Sequence, residues 1–377
     1  MTASTRKFLR FLTIYGLGRS LFKAAGRLRI GLPTLSLRRP APDIGLIGCG
    51  QFAFATIGYF IQSAFGPRIR ACYDIDPRAQ QSLARAQRVA AIPASVDELL
   101  ADRQLRTIYV ASNHASHVDY AVQALDAGLT VYVEKPIAVT EDQLVRLLRA
   151  CRGADRRIFA GYNRPFSGAV RRLRVEMPIV PDGSMTLSCF VSGHQLAEDH
   201  WYRHPEEGTR ICGNVGHWLD LMVHVLSWRG LPDRLDIALS WSRDDEPDDN
   251  ASITITSDRG DLFTVILTSR CEPFEGINET INLQHGDTIA KIDDFRHLTL
   301  WRGPRLLRKR FWPKDVGHRL AILQPFQQEA TRAWEEVVLS TLLMLRITDM
   351  VRARERLATF SFSEARARIQ RQIEAAT

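Results

Sequence analysis

Apolar and polar positions alternate with two different rhythms along this chain, and the change falls near Gly161. Before it, apolar runs of strand length are separated by segments with helical periodicity. Several helices carry a capping signal, such as Ser95 followed three residues later by Glu98. Repeated β–α units of this kind predict a parallel, doubly wound sheet. The predicted strands are residues 44–47, 68–75, a short strand ending at 92, 107–112, 129–133 and 157–160.

After Gly161 the apolar residues recur at every second position. This pattern predicts a large, mostly antiparallel sheet with one face toward solvent or a partner. Its strands are predicted at 185–192, 235–242, 252–257, 262–269, 280–283 and 298–301, and helices from Pro325 to the C-terminus. The acidic run at 244–249 is predicted to be a solvated loop. We therefore expect an arm at 1–40, a parallel-sheet domain at 41–161 and a C-terminal α/β domain at 162–377.

The charge is distributed unevenly along the 377 residues. The chain has 50 Lys and Arg against 42 Asp and Glu, a net charge of +8. Residues 1–40 hold nine of these bases and no acid, so the remaining 41 bases face 42 acids. Because the basicity belongs to the arm, the charge gives no reason to expect a nucleic-acid partner for the body of the protein.

The basic arm allows two interpretations. A basic amphipathic segment can lie on an anionic membrane surface. Alternatively, the arm is a helix that packs on the protein's own surface or on a sister subunit. Gly16, Gly18 and Gly26 weaken a long continuous helix, which favours packing. Arg10 interrupts the apolar run, so a signal peptide is not expected.

Other segments give little sign of membrane, metal or extracellular chemistry. No apolar run approaches the ~20 residues that span a bilayer. The six cysteines are scattered, without a C-x-x-C motif or a Cys/His ligand spacing. We therefore expect reduced thiols in a cytoplasmic protein and no metal site.

The stretch 43–57, DIGLIGCGQFAFATI, predicts a strand, a tight glycine turn and the start of a helix. Gly48, Gly50 and Ala53 have the G-x-G-x-x-G/A spacing of a dinucleotide-binding turn, in which the helix N-terminus faces the pyrophosphate. Taken alone, such a pair of glycines is about as often an ordinary tight turn. Asp74, at the end of the second strand, strengthens the interpretation. An acid there accepts from ribose hydroxyls and repels a 2′-phosphate, which favours NAD over NADP.

A second candidate lies at the end of a later parallel strand. Glu134-Lys135-Pro136 follows residues 129–133, and ligands of open α/β sheets bind beyond the carboxyl ends of strands. A lysine there can orient a substrate hydroxyl or help to take its proton. Elsewhere than at the end of a parallel strand, a Glu-Lys-Pro sequence is more often a surface turn than part of a site.

These residues carry a family resemblance. The stretches GLIGCGQFA, YDIDP, ASNHASHVDYAVQALDAGLTVYVEKPIAVT and GYNRPF resemble the glucose–fructose oxidoreductase / inositol dehydrogenase (Gfo/Idh/MocA) family, closely over about 43–230. The resemblance implies an N-terminal Rossmann domain, a C-terminal α/β domain with a large sheet at a subunit interface, and a homodimer or homotetramer. It also implies NAD-dependent hydride transfer on a sugar, cyclitol or nucleotide sugar.

The resemblance also implies roles for individual residues. Lys135 and His217 correspond to the catalytic pair. Cofactor contacts are expected from Gly48, Gly50, Gln51, Phe52, Ala53, Asp74, Asn113, His117, Glu134 and Lys135. Substrate contacts are expected from Arg164, Trp201, Arg210, Asn214 and His217. Trp201 and Arg210 are chemically suited to sugar stacking and anion clamping.

One position departs from the family pattern. Many members carry an Asp four residues before the catalytic histidine, where this chain has Gly213, and Asn214 beside it cannot act as an acid or base. Lys135 and His217 would then share the proton transfer. Two alternatives to a dehydrogenase stay open at this point. One is NAD-dependent glycosidase-type chemistry through transient oxidation, and the other is a non-catalytic nucleotide-binding or scaffold protein.

Overall fold

The structure is a computed structural model that describes residues 3–31, 40–152, 157–272, 276–327 and 331–375. Residues 32–39 of the predicted arm lie outside the described residues. The chain divides into two compact units. The Rossmann unit contains Phe11–Gly161 and His318–Trp334, and the large-sheet unit contains Met1–Arg10, Tyr162–Gly317 and Glu335–Thr377. The segment His318–Trp334 thus belongs to the Rossmann unit, although it follows the large sheet in sequence.

The Rossmann unit is built on a parallel sheet in the order β2-β1-β3-β4-β5. Its strands are β1 Ile44–Ile47, β2 Ile69–Tyr73, β3 Thr107–Val110, β4 Thr130–Val133 and β5 Ile158–Ala160. All four residues of β1 and of β3 are buried, as expected for central strands covered on both faces. The short strand predicted to end at Ile92 is a single parallel bridge between Ala71 and Ala91. The predicted doubly wound sheet is confirmed.

The helices of the structure have the following bounds: α1 Ala3–Leu28, α2 Gly58–Phe65, α3 Pro77–Gln87, α4 Val96–Leu100, α5 His117–Asp126, α6 Glu141–Ala150, α7 Gly168–Glu176, α8 Gly216–Ser227, α9 His318–Leu323, α10 Trp334–Ala353 and α11 Phe362–Ala375. Two π-helical segments, Ala53–Ile57 and Ile211–Val215, lead directly into α2 and α8. Ser95 caps α4 by accepting from the Glu98 N–H, as the sequence predicted.

The large-sheet unit contains nine strands in the order β13-β12-β11-β10-β6-β9-β8-β7-β14. They are β6 Met185–Ser192, β7 Arg234–Trp241, β8 Ala251–Ser257, β9 Leu262–Thr268, β10 Asn278–His285, β11 Thr288–Asp293, β12 His297–Arg302, β13 Arg305–Arg310 and β14 Leu357–Ser361. Every pairing is antiparallel except β6 with β9. The mostly antiparallel sheet is confirmed, but β11, β13 and β14 were not predicted.

The basic arm forms α1, which is kinked at Gly16, where φ is 74°. From Phe11 onward, one face of the helix is buried in the Rossmann unit by Phe11, Ile14, Phe22 and Ala25. Phe22 contacts the ring of Tyr59 edge-on, with 5.2 Å between the ring centroids. The opposite face exposes leucines and bases. The helix therefore packs on its own protein, which is the alternative that the glycines favoured. No helix in the described part of the chain is long and apolar enough to cross a membrane.

Candidate functional site

The glycine turn lies between β1 and the π-helical start of α2, beside the end of β3. Gly48 has φ of +92°, and a Cβ there would lie 2.4 Å from the carbonyl oxygen of Ala111. Position 48 therefore requires glycine for both conformation and space. Gly50 is different, because a Cβ would meet no other heavy atom within 4 Å. The turn sits where β2 and β3 diverge on either side of β1, which is the topological switch point at which such sheets bind ligands.

The helix after the turn begins at Gln51, and its first N–H groups face the glycines. The Phe54 N–H donates to the Gly50 carbonyl at 2.9 Å. Gln51 and Phe52 are exposed, whereas Ala53 is buried. This arrangement offers the backbone donors and dipole end that suit an anionic group.

Asp74 is tied directly to this turn. One carboxylate oxygen accepts from the Cys49 N–H at 2.5 Å, and the other accepts from the Asp76 N–H at 2.8 Å. Cys49 is the residue between the two glycines. The half-buried carboxylate is thereby held beside the turn, where the sequence predicted a ribose ligand. Its second task, holding the Cys49 amide, was not predicted.

The ends of β3 and β4 form the other side of this edge. Asn113 is exposed and accepts from the Ser116 hydroxyl at 2.6 Å. Glu134 is buried and accepts from the Tyr132 hydroxyl at 2.8 Å. Burial raises the pKa of Glu134 to about 7, against the opposing charge of Lys135. A Cβ at Gly161 would lie 2.6 Å from the Glu134 carboxylate, so a larger residue there would displace this carboxylate.

His117 holds the two loops together. Its side chain is 1% exposed, with Nδ1 2.8 Å from the Pro136 carbonyl oxygen and Nε2 3.1 Å from the Ser112 carbonyl oxygen. A buried ring with both nitrogens on backbone carbonyls has little surface for a cofactor. His117 thus lies between the β3 and β4 loops, where a neutral ring can donate to one of the two carbonyls, and its predicted nicotinamide contact stays a prediction. Burial lowers its pKa to about 4.

This pKa predicts an acid-sensitive contribution to stability. In the unfolded chain the imidazole titrates near 6.5. Between pH 6.5 and 4 the unfolded state therefore binds more protons than the folded state, and the free energy of unfolding decreases as the pH is lowered. Over the whole pH range of this titration, the pKa shift corresponds to a change of roughly 3 kcal/mol in the free energy of unfolding. Glu134, with a raised pKa, contributes the opposite slope between about pH 4.5 and 7. We expect the melting temperature of His117→Gln to drop less than that of the wild type when the pH is lowered from 7 to 4.5. His204→Gln, at an exposed position, is the control and should follow the wild-type curve.

In the large-sheet unit, His217 lies in the first turn of α8 and is half-buried. Its ring contacts Tyr162 edge-on at 6.1 Å between ring centroids. The preceding π-helical segment contains Gly213 and Asn214. Such segments are frequent at functional sites. Trp201 lies on a short 3₁₀ turn and is 38% exposed, with its ring against Tyr202 at 4.3 Å between centroids.

Arg164 is buried and paired within the large-sheet unit. It is 5% exposed, and its Nε and Nη2 donate to the two carboxylate oxygens of Glu279 at 2.9 and 3.0 Å. The guanidinium lies over the Trp218 ring at 4.5 Å, and the Trp218 indole N–H donates to the same carboxylate. Arg164 therefore contributes to the unit's buried polar network, and its predicted role as a substrate contact stays a prediction.

Arg210 is also used internally. Its side chain is 1% exposed; it pairs with Asp249 and donates to the Asn214 side-chain oxygen at 3.2 Å and the His194 carbonyl at 2.8 Å. Its backbone N–H donates to Asp248 at 2.7 Å. The sequence predicted a solvated loop at 244–249. This prediction is wrong for its last two residues, Asp248 and Asp249, because they bind Arg210. Arg210 therefore orients Asn214, and its predicted contact with a substrate stays a prediction.

Lys135 is half-buried in the Rossmann unit, and His217 belongs to the large-sheet unit. Their joint action on one substrate stays a prediction. In the described ranges, no group of three or more His, Cys, Asp or Glu residues is placed to hold a metal ion. All six cysteines are free thiols.

Residues 43–162, about a third of the chain, match the model of the Gfo/Idh/MocA oxidoreductase family, which has an NAD-binding Rossmann fold. This part of the chain is similar to that family. The match covers the glycine turn, Asp74, the β3 and β4 loops, and Gly161.

Two curated relatives and one solved structure show how far the likeness extends. An inositol 2-dehydrogenase of Ralstonia nicotianae is 27% identical over 191 residues, 49% of this chain and 53% of the relative. One from Burkholderia multivorans is 31% identical over 134 residues, 35% of this chain and 40% of the relative. The chain thus spans about half or less of these Gfo/Idh/MocA relatives. The WlbA dehydrogenase of Bordetella pertussis, solved with NADH and UDP-GlcNAcA, has a TM-score of 0.67 at 18% identity, covering 85% of this chain and 99% of that chain. At this identity the structural likeness shows the fold alone.

Proposed function

We propose that the protein is an NAD-dependent oxidoreductase that transfers a hydride between nicotinamide and a hydroxyl-bearing carbon of a sugar, cyclitol or nucleotide sugar. The main support for this proposal is the glycine turn at the switch point of the sheet, where the Cys49 N–H donates to the Asp74 carboxylate. The inositol 2-dehydrogenase relatives and the nucleotide-sugar complex of the structural neighbour support the substrate class.

The turn fits a bound dinucleotide. Open space at Gly50 allows close approach to the backbone, and the N-terminus of the following helix faces that space. Gly48, Gly50, Gln51, Phe52 and Ala53 would hold the pyrophosphate. Asp74 would accept from the adenosine ribose, while Asn113 and Glu134 would border the nicotinamide half. NAD supplies the hydride acceptor or donor when bound.

The protein's own contribution to the chemistry is binding and proton transfer. Lys135, at the carboxyl end of β4, would orient the substrate hydroxyl and neutralise the charge that develops on its oxygen. His217 would take or return the hydroxyl proton, since an imidazole is suited to this near neutral pH. Trp201 would contact the substrate through its exposed ring, and Asn214 would donate or accept a hydrogen bond from a position that Arg210 fixes.

Cofactor choice is the first test of this function. Because the Asp74 carboxylate repels a 2′-phosphate, we expect the protein to bind NADH at least about tenfold more tightly than NADPH, roughly 1.4 kcal/mol. Asp74→Asn keeps the shape and removes the charge, so its preference should shrink. Asp97→Asn, at an exposed position in α4, is the control. Titrations followed by NADH fluorescence measure both constants. Tighter binding of NADPH by the wild type would contradict the assignment of NAD.

Substrate class is the second part of the same experiment. A thermal-shift screen with NAD and panels of cyclitols, sugars and nucleotide sugars identifies binders. Their NAD-dependent oxidation is then followed through NADH absorbance. Turnover of a hydroxyl-bearing substrate separates an enzyme from a scaffold protein. Absence of turnover across all three classes, with NADH binding intact, would remove the proposed activity.

The six free thiols are typical of a reducing compartment and support a cytoplasmic location.

We further propose a homodimer or homotetramer that assembles through the outer face of the large sheet. This face exposes apolar side chains on adjacent strands: Phe190 of β6 is 51% exposed and pairs in register with Ile266 of β9. Large exposed apolar patches mark interaction surfaces. We expect Ile266→Lys to shift the mass measured by light scattering toward the monomer. Val175→Lys, at an exposed apolar position on α7, should leave it unchanged.

A further inference from the structure

The C-terminal end of α1, within the basic arm, reaches the dinucleotide turn. Arg29 follows α1 with φ of 55°, and its guanidinium makes three hydrogen bonds within the Rossmann unit. Nη2 donates to the Cys49 carbonyl at 2.8 Å and to the Ala79 carbonyl at 2.7 Å, and Nε donates to the Ser82 hydroxyl at 2.8 Å. The same group lies over the Phe54 ring at 4.7 Å. Arg29 thus joins the glycine turn to α3.

Cys49 is held from both sides as a result. Its N–H donates to Asp74, and its carbonyl oxygen accepts from Arg29. It is the residue between Gly48 and Gly50, so these two contacts fix the peptide planes that the pyrophosphate must approach. Glycines on both sides make this backbone intrinsically free to rotate. The charged clamp therefore restricts this backbone, together with the Gly48 N–H, which donates to the Tyr73 carbonyl at 2.9 Å.

The segment around Arg29 packs closely on the Rossmann unit. A Cβ at Gly26 would lie 3.0 Å from the Ala55 Cβ, and a Cβ at Gly31 would lie 2.7 Å from the Ala86 carbonyl oxygen. Arg19 lies over the Phe60 ring at 4.6 Å. These contacts, together with the buried face of α1, position Arg29 from both ends of its segment.

We propose that Arg29 is a positioning residue of the dinucleotide site and that the basic arm is a working part of that site. The inference rests on the proposed NAD binding. Arg29 orders the Cys49 peptide and places a fixed positive charge next to the turn that receives the pyrophosphate. A half-buried charge is screened less than an exposed one, so its attraction for the two phosphates persists at physiological salt. An arm packed only for stability would not have this effect on the cofactor.

The test compares four variants with the wild type. Arg29→Ala removes the clamp, Arg29→Lys keeps the charge without the forked donor, and Ser82→Ala removes one acceptor. Arg27→Ala is the matched control, because Arg27 is an exposed arginine on the same helix. For each protein we would measure the dissociation constants of NADH and of ADP-ribose, the melting temperature, and amide exchange of the ligand-free peptide covering residues 48–54.

We expect Arg29→Ala to weaken NADH and ADP-ribose equally, by about tenfold, and to speed amide exchange at the turn. Arg29→Lys should restore part of the affinity, Ser82→Ala should have a small effect, and Arg27→Ala none. With a turned-over substrate, the KM for NAD should rise while kcat at saturating NAD is retained. This split distinguishes positioning of the cofactor from a general loss of folded protein.

Three outcomes would overturn the inference. The first is binding of NADH by Arg29→Ala within twofold of the wild type. The second is a loss of affinity that appears only with a matching loss of melting temperature and is not partly restored in Arg29→Lys. The third applies if Arg29→Ala does not fold. It is that both Arg29→Lys and Ser82→Ala retain the wild-type affinity for NADH and the wild-type amide exchange at the turn. Failure of the wild type itself to bind NADH would instead remove the proposed function and the inference with it.

Discussion

Lys135→Ala and His217→Ala are each expected to lower kcat/KM by at least about 10²-fold, the effect typical of a positioned acid–base group. The physical reason is that a glycine replaces one acid of the family pattern. Gly213 occupies the place where many family members carry an acid, and the side chain of its neighbour Asn214 cannot transfer a proton at neutral pH. No redundant carboxylate at that position can compensate for either loss.

The binding of NADH should change little in both variants, because the glycine turn and Asp74 are untouched. Steady-state kinetics and an NADH titration of the same preparations measure the two effects separately. Lys291→Ala and His297→Ala, at exposed positions on the large sheet, are the controls for charge and for imidazole loss. Near-normal kcat/KM in Lys135→Ala would show that Glu134-Lys135-Pro136 is a structural turn.

Gly50→Val is expected to abolish most cofactor binding while leaving the protein folded. Apart from Gly50 itself and its two chain neighbours, no heavy atom lies within 4 Å of the position that its Cβ would take, so the folded chain can accommodate the side chain. The added atoms would occupy the space that the pyrophosphate needs. We expect the affinity for NADH to fall by about 10²-fold or more, roughly 2.7 kcal/mol. Gly50→Ala should give an intermediate loss.

Gly48→Ala provides the contrasting variant. A Cβ there would lie 2.4 Å from the Ala111 carbonyl oxygen, in a backbone conformation that costs a non-glycine residue additional energy. Its melting temperature should therefore fall, whereas that of Gly50→Val should stay close to the wild-type value. Calorimetry and NADH titration of the pair check both statements. Unchanged NADH affinity in Gly50→Val would place the cofactor elsewhere.

The sequence was most informative where the signal is local. The parallel strands of the Rossmann unit follow from short apolar runs, and the glycine turn follows from a spacing of a few residues. The cap at Ser95 needs only the next three residues. The strands that it missed carry weak local patterns: β13, RLLRKR, is a charged edge strand, and β14 is a short strand between two helices. Pairing with a neighbouring strand, rather than periodicity, decides their conformation.

The roles of the charged side chains depended on contacts that no local pattern encodes. Arg164 was predicted from its motif to border the substrate, but its partner Glu279 lies 115 residues away. Arg210 was predicted as a substrate clamp, but Asp249, 39 residues on, neutralises it in a buried position. A buried charge needs a paired and hydrogen-bonded partner, and only the folded chain shows which partner is within reach.

The sequence by itself determined the glycine turn, the acid at the end of β2 and the change from a parallel to an antiparallel sheet, because each depends on spacing along the chain. The tertiary structure decided what surrounds them. It buried His117 between two loops, paired Arg164 and Arg210 inside the large-sheet unit, and brought Arg29 onto Cys49. Directional hydrogen bonds and ion pairs act over a few ångströms, so their partners are fixed only when distant segments pack together.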